Sequence, residues 1–464
     1  MESVIIIVFV MGYLAITLEH NIKLDKLIPA LIMMAVCWAL VALGVDNFTQ
    51  WFDSANHGLV DGFASFEHKD KLHLVEETLL HHLGKTAEIL VFLLGAMTIV
   101  EIIDYFDGFS TIKGYVNFKS KKKLLWMFSI LAFILSAIID NLTATIVLIS
   151  ILQKIVKKRE DRIWFAGLII IAANAGGAFS PIGDVTTTML WIGDKVSTGM
   201  LFTYLFIPSL LCMVVPSFIA TFLPAFKGDI EFDENEVEKP KSQHSARMLY
   251  LGLGAILFVP IFKTVTHLPP YVGMMLSLAV VATFAEIFSR SKFSISSFDS
   301  EESDDHAHHS PVHHSLSKIE MPSILFFLGI LMAVAALESL GILFNFADSL
   351  KQGIPLIGSE LEGTVVSDLV VILLGIGSAV IDNVPLVAAS LGMFSEPLDN
   401  PLWHFIAFSA GTGGSMLIIG SAAGVVAMGM EKIDFFWYLK KISWLAFVGF
   451  MIGSAAFVLI REFI

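Results

Sequence analysis

The sequence predicts an all-α polytopic membrane protein with two inverted repeats, each containing a re-entrant hairpin and a broken transmembrane helix. Three observations lead to this fold class. Of the 464 residues, 56% are hydrophobic and 16% are charged, whereas a soluble domain is nearer half apolar and a quarter charged. Two pairs of apolar segments are short and adjacent, and two long apolar segments are interrupted by clustered glycines. Four short motifs recur in the same order in both halves.

The apolar segments are long enough and numerous enough for a multi-pass protein, because a bilayer core about 30 Å thick requires roughly 20 apolar residues per helix. The segments are 3–19, 27–44, 86–105, 124–139, 142–156, 163–193, 200–223, 247–266, 270–289, 320–344, 364–381, 384–394, 402–430 and 435–460. We expect residues 45–85 to form an outer loop. Glu2 lies where a signal peptide would carry positive charge, which favours a retained first helix.

Two segments are expected to enter and leave the membrane on one face. Residues 124–156 form two apolar arms that meet at Asp140-Asn141, and residues 364–394 form two arms that meet at Asp382-Asn383. Basic residues flank both ends of the first pair, as they would if both ends lay at one cytoplasmic surface. Two full spans remain the alternative, because arms of about 15 residues reach roughly 22 Å.

The distribution of charge predicts the orientation. With both pairs taken as hairpins, the loops on one side carry 22 of the 29 Lys and Arg residues. The positive-inside rule makes that side cytoplasmic, which places the N-terminus and the C-terminus outside. The formal net charge of -14 argues against nucleic acid as a partner, because phosphate binding requires a basic surface. Membrane lipid is the expected surrounding.

The two halves of the chain resemble each other, and the odd helix count turns them upside down relative to one another. The matched motifs are Ser136–Asn141 with Ser378–Asn383, Phe92–Gly95 with Phe326–Gly329, Pro29 with Pro270, and Gly176-Gly177 with Gly413-Gly414. The second match also aligns Asp104 with Glu338. Inverted repeats with broken helices are typical of secondary transporters, whose sites lie where the breaks meet.

These repeats predict a division of the chain into two halves and a linker. The first repeat is predicted at 1–226, a cytoplasmic linker at 227–247 and the second repeat at 248–464. Within the first repeat we expect scaffold helices in 1–123, a hairpin at 124–156, a broken helix at 163–193 and a helix at 200–223. Within the second we expect scaffold helices in 248–344, a hairpin at 364–394, a broken helix at 402–430 and a helix at 435–460.

Both helix breaks offer oxygen ligands. Residues 174–188 and 411–415 are rich in Gly, Ser and Thr, and unwound backbone at membrane depth is tolerated only beside a cavity or inside protein. Carbonyl, hydroxyl, amide and carboxylate oxygens suit a hard cation. A carboxylate within the membrane costs at least about 2.5–3.5 kcal/mol, which a bound cation or a proton can offset.

A site for a cation and protons is therefore predicted at the tips and breaks. The predicted binding residues are Asp140, Asn141, Thr143, Asn174, Asp184, Asp382 and Asn383, with Na+ held by Asp140 and Asp382. Supporting hydroxyls are predicted at Ser136, Thr145, Ser180, Thr186, Thr187, Ser378, Thr412 and Ser415. Two alternatives stay open: the aspartates could cap helices, and the hydroxyls at 412 and 415 could pack helices through small side chains.

The sequence predicts neither an enzyme nor a bound cofactor. It holds no HExxH, GxSxG or P-loop motif, and its two cysteines, Cys37 and Cys212, lie apart within apolar runs. His267 and His404, the histidines nearest the apolar segments, have no evident catalytic partner. A channel remains open as a second class of membrane protein.

The segments that carry these patterns resemble NhaD-type sodium/proton antiporters of the ion transporter superfamily. They are Ser136–Thr145, Asn174–Trp191, Ser378–Pro385 and Gly411–Gly424. The resemblance implies an INDY-like fold, in which a transport domain with two opposed hairpins moves beside a scaffold domain that forms a homodimer. It also implies exchange of Na+ or Li+ for H+ by an elevator-like movement, in the inner membrane of a bacterium.

An anion transporter of the same superfamily, for dicarboxylate or arsenite, is the alternative function. The related dicarboxylate branch carries Ser-Asn-Thr at its hairpin tips, whereas this chain has Asp140-Asn141-Leu142-Thr143 and Asp382-Asn383-Val384-Pro385. The tips therefore bring their own negative charge, which favours a cation. Because Pro385 stands where the first tip has Thr143, the two tips are unequal donors.

Overall fold

A computed structural model describes residues 1–17, 22–53, 58–113, 118–230, 244–296, 310–353, 366–380 and 383–464. Within them the α-helices are α1 (Glu2–Thr17), α2 (Leu27–Leu43), α3 (His68–Tyr105), α4 (Ser110–Lys113), α5 (Lys121–Ile139), α6 (Asn141–Ile155), α7 (Arg159–Ala178), α8 (Val185–Ile192), α9 (Thr198–Ala220), α10 (Ser245–Thr266), α11 (Pro270–Ser296), α12 (Pro311–Ser317), α13 (Met321–Ser339), α14 (Ile342–Gly353), α15 (Asp368–Ser378), α16 (Asn383–Met393), α17 (Pro401–Gly413), α18 (Ala422–Glu431), α19 (Phe435–Lys441) and α20 (Ser443–Ile460). Two short antiparallel strands, β1 (Phe52–Asp53) and β2 (Gly58–Leu59), pair in the segment between α2 and α3.

Seven of the described helices are long and apolar enough to cross a bilayer: α3, α5, α9, α10, α11, α13 and α20. Shorter apolar helices accompany them, among them α2, α6, α15 and α16. Large apolar side chains such as those of Leu43, Phe222 and Val265 point out of the protein, which an aqueous surface would not favour. The chain is therefore an all-α, multi-pass membrane protein, as the composition predicts.

Three helix boundaries differ from the predicted segments. Helix α3 begins at His68 and not at residue 86, since only Gly84 interrupts a continuous helical sequence and one glycine costs about 1 kcal/mol. At 1.5 Å per residue its 38 residues extend beyond the bilayer core. Segment 435–460 divides at Ile442 into α19 and α20. Segment 320–344 ends its helix at Ser339, before Gly341, which has a φ of +70°.

The first helices of each half pack across to the other half. Helix α2 packs on α13, and α11 packs on α3. Within each half, α1 packs on α2 and α10 packs on α11. These four pairs join six helices and follow one pattern. The long helices α1, α2 and α3 form one set and α10, α11 and α13 form the other, and the second helix of each set packs on the third helix of the other set.

The remaining helices form a second set of contacts around the helix breaks. Helix α5 packs on α7 and α7 on α9; in the later half α15 packs on α17 and α17 on α20. Helices α9 and α20 pack on each other, as do α7 and α17. Each half-helix after a break crosses to the other half, since α18 packs on α6 and α8 packs on α16.

The breaks lie a few residues after the glycines that were predicted to cause them. Helix α7 continues through Gly176 and ends at Ala178, and α17 continues through Gly413 before a 3₁₀ turn at 414–416. A Cβ at either glycine would overlap a carbonyl oxygen of the neighbouring helix, that of Phe133 on α5 or of Gly375 on α15. These glycines therefore permit close helix packing, and the chain unwinds afterwards, at 179–184 and 417–421.

Ion pairs fix the two ends of this second set of helices. At one end Arg162 donates to the buried carboxylate of Glu431, with Nε–O distances of 2.9 and 3.0 Å, and so joins α7 to the end of α18. At the other end Arg461 forms a bidentate pair with Asp368 and joins the end of α20 to the start of α15. Both pairs are largely buried, where partners left unpaired would be costly.

The loop after α8 is tied to the loop before α17 by Asp399. Its Oδ1 accepts from the backbone N–H of Ser197 at 2.6 Å and lies 3.3 Å from Nε2 of His404. Burial raises the pKa of the Asp399 carboxyl, but the contacts with His404 and Ser197 outweigh it and hold the pKa below its ordinary value. Asp399 is therefore ionised throughout the neutral range.

We expect Asp399→Asn to lower the free energy of unfolding by about 1.5–3 kcal/mol, the value of a hydrogen bond to a charged group. Since the folded pKa lies below the unfolded value of about 3.9, this contribution is present above pH 4 and is lost only as the pH falls through the folded pKa. Thermal unfolding in detergent at pH 6, 7 and 8 measures it. A loss of stability that vanished at pH 6 would contradict this assignment, and Asp194→Asn, an exposed aspartate at the same end, is the control.

Candidate ion-binding site

Four helix N-termini converge at the centre of the protein. Helices α6 and α16 begin at Asn141 and Asn383, and α8 and α18 begin just after the two breaks, with Asp184 and Ser421 as their N-caps. All four side chains are buried. Each helix N-terminus carries a partial positive charge, so a carboxylate here is stabilised and also neutralises the converging dipoles.

The carboxylate of Asp184 is the centre of the hydrogen-bond network. Its Oδ2 accepts from Nδ2 of Asn141 and from Nδ2 of Asn383, both at 3.1 Å, and its Oδ1 accepts from the N–H of Thr186 at 3.2 Å. Asp184 is 2% exposed. One carboxylate therefore joins the first residues of α6 and α16, which are 242 positions apart in the sequence.

Asn174 joins the two helix breaks. Its Oδ1 accepts from Nδ2 of Asn141 at 3.0 Å, and its Nδ2 donates to Oγ of Ser421 at 3.0 Å. Asn174 is fully buried on α7, four residues before that helix ends. The polar network thus runs without interruption from Ser421 through Asn174 and Asn141 to Asp184 and Asn383.

Asp140 caps helix α6 and has an unusual backbone conformation. Its φ of +90° is rare for a residue with a side chain, and such positions cost about 1–3 kcal/mol. Oδ1 accepts from the N–H of Thr143 at 2.8 Å, and Oδ2 accepts from its hydroxyl at 2.9 Å. The capping interpretation is correct for Asp140, and its predicted cation contact stays a prediction.

Most of the predicted supporting hydroxyls donate to backbone carbonyls. Six do so, and hold hairpin arms, breaks and helices together: Ser136, Ser180, Thr187, Ser378, Thr412 and Ser415. Thr145 and Thr186 differ, because their buried hydroxyls have no hydrogen-bond partner within the described part of the chain. Thr145 lies one turn after Asn141 on α6, and Thr186 lies two residues after Asp184.

The donor set fits a hard cation. Around Asp184 the polar atoms are carboxylate, amide and hydroxyl oxygens and amide nitrogens, and a half turn of an asparagine amide exchanges its N–H for its carbonyl oxygen. Two buried hydroxyls without partners are the kind of group that a bound ion explains. No cluster of three or more His, Cys, Asp or Glu side chains suited to a metal occurs among the residues described.

Two cavities lead to this network. A cavity of about 80 Å³ is lined by Asp140, Asn141, Asp184 and Asn383. A larger one of about 430 Å³ lies between α3 and α6 and is lined in part by acidic residues of α3. Thr143, which donates to Asp140, lines both. The two cavities therefore meet at the start of α6.

The chain matches the family described as "Citrate transporter" (CitMHS) over residues 6–403. It is 39% identical to "Sodium/proton antiporter 1" of Arabidopsis thaliana, over 98% of this chain and 72% of that protein. It is 36% identical to "Sodium/proton antiporter 2" of the same plant, over 98% and 99%. It is 33% identical to "Na(+)/H(+) antiporter NhaD" of Vibrio parahaemolyticus, over 82% and 91%. The chain belongs to the family of NhaD-type sodium/proton antiporters.

For this NhaD-type protein the structure brings together four of the predicted site residues in direct contact: Asn141, Asn174, Asp184 and Asn383. Asp140 and Thr143 lie at the same cavity. Asp382 lies outside the described residues, as do residues 231–243 of the predicted linker, so the predicted Asp140–Asp382 pair stays a prediction. Asp184, predicted as one member among several, is the residue with the most contacts.

Sequence reasoning missed two residues of the site. Ser421 is the counterpart of Asp184, since both cap the half-helix after a break, and the offset of 237 between Gly176 and Gly413 also relates these two positions. Applying that offset to Asp184 could have found it. Lys26 is the second: it also lines the 80 Å³ cavity, and its Nζ lies 4.5 Å from the ring centre of Phe326.

Proposed function

We propose that this protein exchanges Na+ or Li+ for H+ across a membrane, and so exports sodium. The observation that carries the proposal is the buried carboxylate of Asp184, held between asparagines of both hairpin tips. The relatives named sodium/proton antiporters, which match nearly the whole chain, support the same activity.

The cation is proposed to bind at Asp184. Half turns of the Asn141 and Asn383 amides would present two carbonyl oxygens beside its Oδ2, and hydroxyls of Thr145 and Thr186 would complete an oxygen shell. Without a cation the same amides donate to the carboxylate, which is the arrangement observed. The network can therefore alternate between a liganded and an unliganded state by rotation of side chains alone.

Proton coupling is proposed to come from carboxylates that share one dehydrated cavity. Asp140 and Asp184 both line it, and the sequence adds Asp382 to the second tip. Carboxylates close together cannot all be ionised cheaply unless a cation lies among them. Departure of the cation therefore favours uptake of a proton, and arrival of the cation favours its release.

The architecture is proposed to be two inverted repeats, 1–226 and 248–464, with hairpins at 124–156 and 364–394. Two findings support it: helix contacts occur in matched pairs in the two halves, and Ser136 and Ser378 make the same kind of bond, to the carbonyls of Ala173 and Ala410. Hairpins and broken helices form one contact set and the earlier helices another. We propose that the first set moves as the transport domain, in an elevator-like way, and that the second is a scaffold that forms a homodimer.

The side of the membrane is proposed from charge. The basic residues concentrate at the loops that flank the first hairpin, which makes that surface cytoplasmic and the termini external. The 430 Å³ cavity is lined by Asp107 in the loop before the first hairpin and by Lys318 and Glu320 in the loop between α12 and α13, which the charge distribution assigns to the same side. The structure then represents a state that opens to the cytoplasm.

Anion transport is the second candidate, because Lys26 lines the buried cavity and the matched family is described as a citrate transporter. Lys26 has one positive charge against the carboxylates of Asp140 and Asp184 in the same lining. An anion would have to enter a cavity whose formal charge is already negative. The cation is therefore the better fit.

The proposed function is tested in everted membrane vesicles that hold a preformed pH gradient. We expect added Na+ or Li+, but not choline, to dissipate the gradient. Asp140→Asn should weaken this response at least about 10-fold, because loss of a group near a bound metal typically lowers affinity or activity 10–100-fold. Labelled citrate and arsenite uptake into proteoliposomes is measured beside it. Anion uptake together with no Na+ response would replace the antiporter by the second candidate.

A further inference from the structure

The third long helix of each half places an acidic residue near its end. In α3 this residue is Asp104 and in α13 it is Glu338, the pair aligned by the Phe92 and Phe326 motifs. The second arms of the hairpins, α6 and α16, are aligned by their Asp-Asn tips, and that alignment makes Ser150 the counterpart of Gly392. The two halves therefore contain one equivalent pair each: Asp104 with Ser150, and Glu338 with Gly392.

In the second half the two members of the pair are in contact. A Cβ at Gly392 would lie 3.1 Å from both Cγ and Oε2 of Glu338. Helix α13 packs along α16, and α14 also contacts α16 through Leu343, which lies against the same glycine. The absence of a side chain at Gly392 lets the Glu338 side chain reach the backbone of the hairpin arm, so this end of the hairpin is closed.

In the first half the equivalent pair is separated by a cavity. Asp104 and Ser150 both line the 430 Å³ space between α3 and α6, and these two fully described helices do not pack along each other. Asp104 is exposed, whereas Glu338 is half-buried. The space ends at Thr143, the partner of Asp140. The same structural pair is thus open in one half and closed in the other.

We propose that Asp104 and Glu338 are positioning residues of two gates that close in turn during exchange. The structure holds the Glu338 gate closed on α16 and the Asp104 gate open towards Asp140. Because inverted repeats allow either half to adopt the arrangement of the other, the opposite state has Asp104 against α6 at Ser150 and Glu338 withdrawn from Gly392. At Ser150 the carboxylate would meet the serine hydroxyl, whereas at Gly392 it meets bare backbone. The inference rests on the proposed exchange, since it assigns these carboxylates to the steps that move the site between the two sides.

The test uses full-length protein reconstituted in liposomes, in a Cys37→Ala, Cys212→Ala background that removes both native thiols. One variant carries Glu338→Cys with Gly392→Cys, whose Cβ atoms lie within reach of a disulfide. We expect oxidation to form this disulfide at once, to reduce Na+-driven H+ movement at least about 10-fold, and dithiothreitol to restore it. Asp104→Cys with Ser150→Cys should form its disulfide only under exchange conditions, and should then block exchange as well.

Single-cysteine variants are the matched controls, and their exchange should not respond to oxidant. A polar thiol reagent should label Asp104→Cys at least about 10-fold faster than Glu338→Cys, a measurement that does not depend on a side chain at 392. Equal labelling, or a Glu338→Cys/Gly392→Cys disulfide that leaves exchange intact, would overturn the gate assignment while leaving the antiporter standing. If the wild-type protein in the same liposomes moves no protons in response to Na+, the proposed function fails, and the labelling ratio still reports on the gates.

Discussion

Replacement of Asp184 by Asn is expected to lower the apparent affinity for Na+ at least about 100-fold. Loss of a residue that only supports a metal ligand lowers metal affinity about 10–100-fold, and loss of the ligand itself should cost more. The physical reason is the convergence of four helix N-termini at this residue. Their partial positive charges repel a cation, and Asp184 is the buried carboxylate that contacts both hairpin tips. Without its charge, the network offers the cation only neutral oxygens in a positive potential.

The loss should be functional and not structural. Asn has the shape of Asp and is as good an N-cap, so the contact with the N–H of Thr186 can persist and α8 should remain intact. Asp194→Asn is the matched control, at the opposite end of α8 and 75% exposed; it should exchange at the wild-type rate. Na+ titration of the vesicle response gives affinity, and thermal unfolding in detergent checks the fold. Exchange by Asp184→Asn at wild-type affinity would remove Asp184 from the site.

The helix plan is largely present in the sequence because apolar length is a strong signal in a membrane protein. The Asp-Asn tips and the two glycine-rich segments also follow from local composition, and Asn141, Asn174 and Asp184 do meet. Composition does not predict which of these polar side chains accepts hydrogen bonds from the others. The sequence motif made Asp140 and Asp382 symmetrical, whereas the three-dimensional centre is Asp184, whose counterpart is the uncharged Ser421.

The exact helix ends were less predictable, for physical reasons specific to each position. From the sequence alone, Gly176 and Gly413 are predicted to break their helices, because glycine has a low helix propensity. In the folded protein each lies inside a helix, where a hairpin backbone approaches it. Similarly, the sequence has no Gly or Pro at Ile442 that would predict the division between α19 and α20. Tertiary contacts decide these positions, and they are absent from single-residue propensities.

Gly413→Ala is accordingly expected to destabilise the protein by more than about 3 kcal/mol, above the usual range for an added methyl in a packed core. A Cβ there would overlap the carbonyl oxygen of Gly375 and approach Oγ of Ser378 to 2.6 Å. The obstacle is backbone and not the end of a flexible side chain, so α15 must move away from α17. Because α15 leads into the second tip, Na+ exchange should fall together with stability.

Gly254→Ala is the matched control, since this glycine also lies within a helix, α10, but a Cβ there has nothing within 4 Å. It should raise stability by about 0.5–1 kcal/mol, because Ala is the better helix former. Gly176→Ala should repeat the Gly413 effect in the other half, where the obstacle is the carbonyl of Phe133. Thermal unfolding of the four proteins, wild type included, gives the order. If Gly413→Ala unfolded at the same temperature as Gly254→Ala, α15 and α17 could not be packed as closely as the structure has them. The close packing that positions Asn383 beside Asp184 would then be wrong.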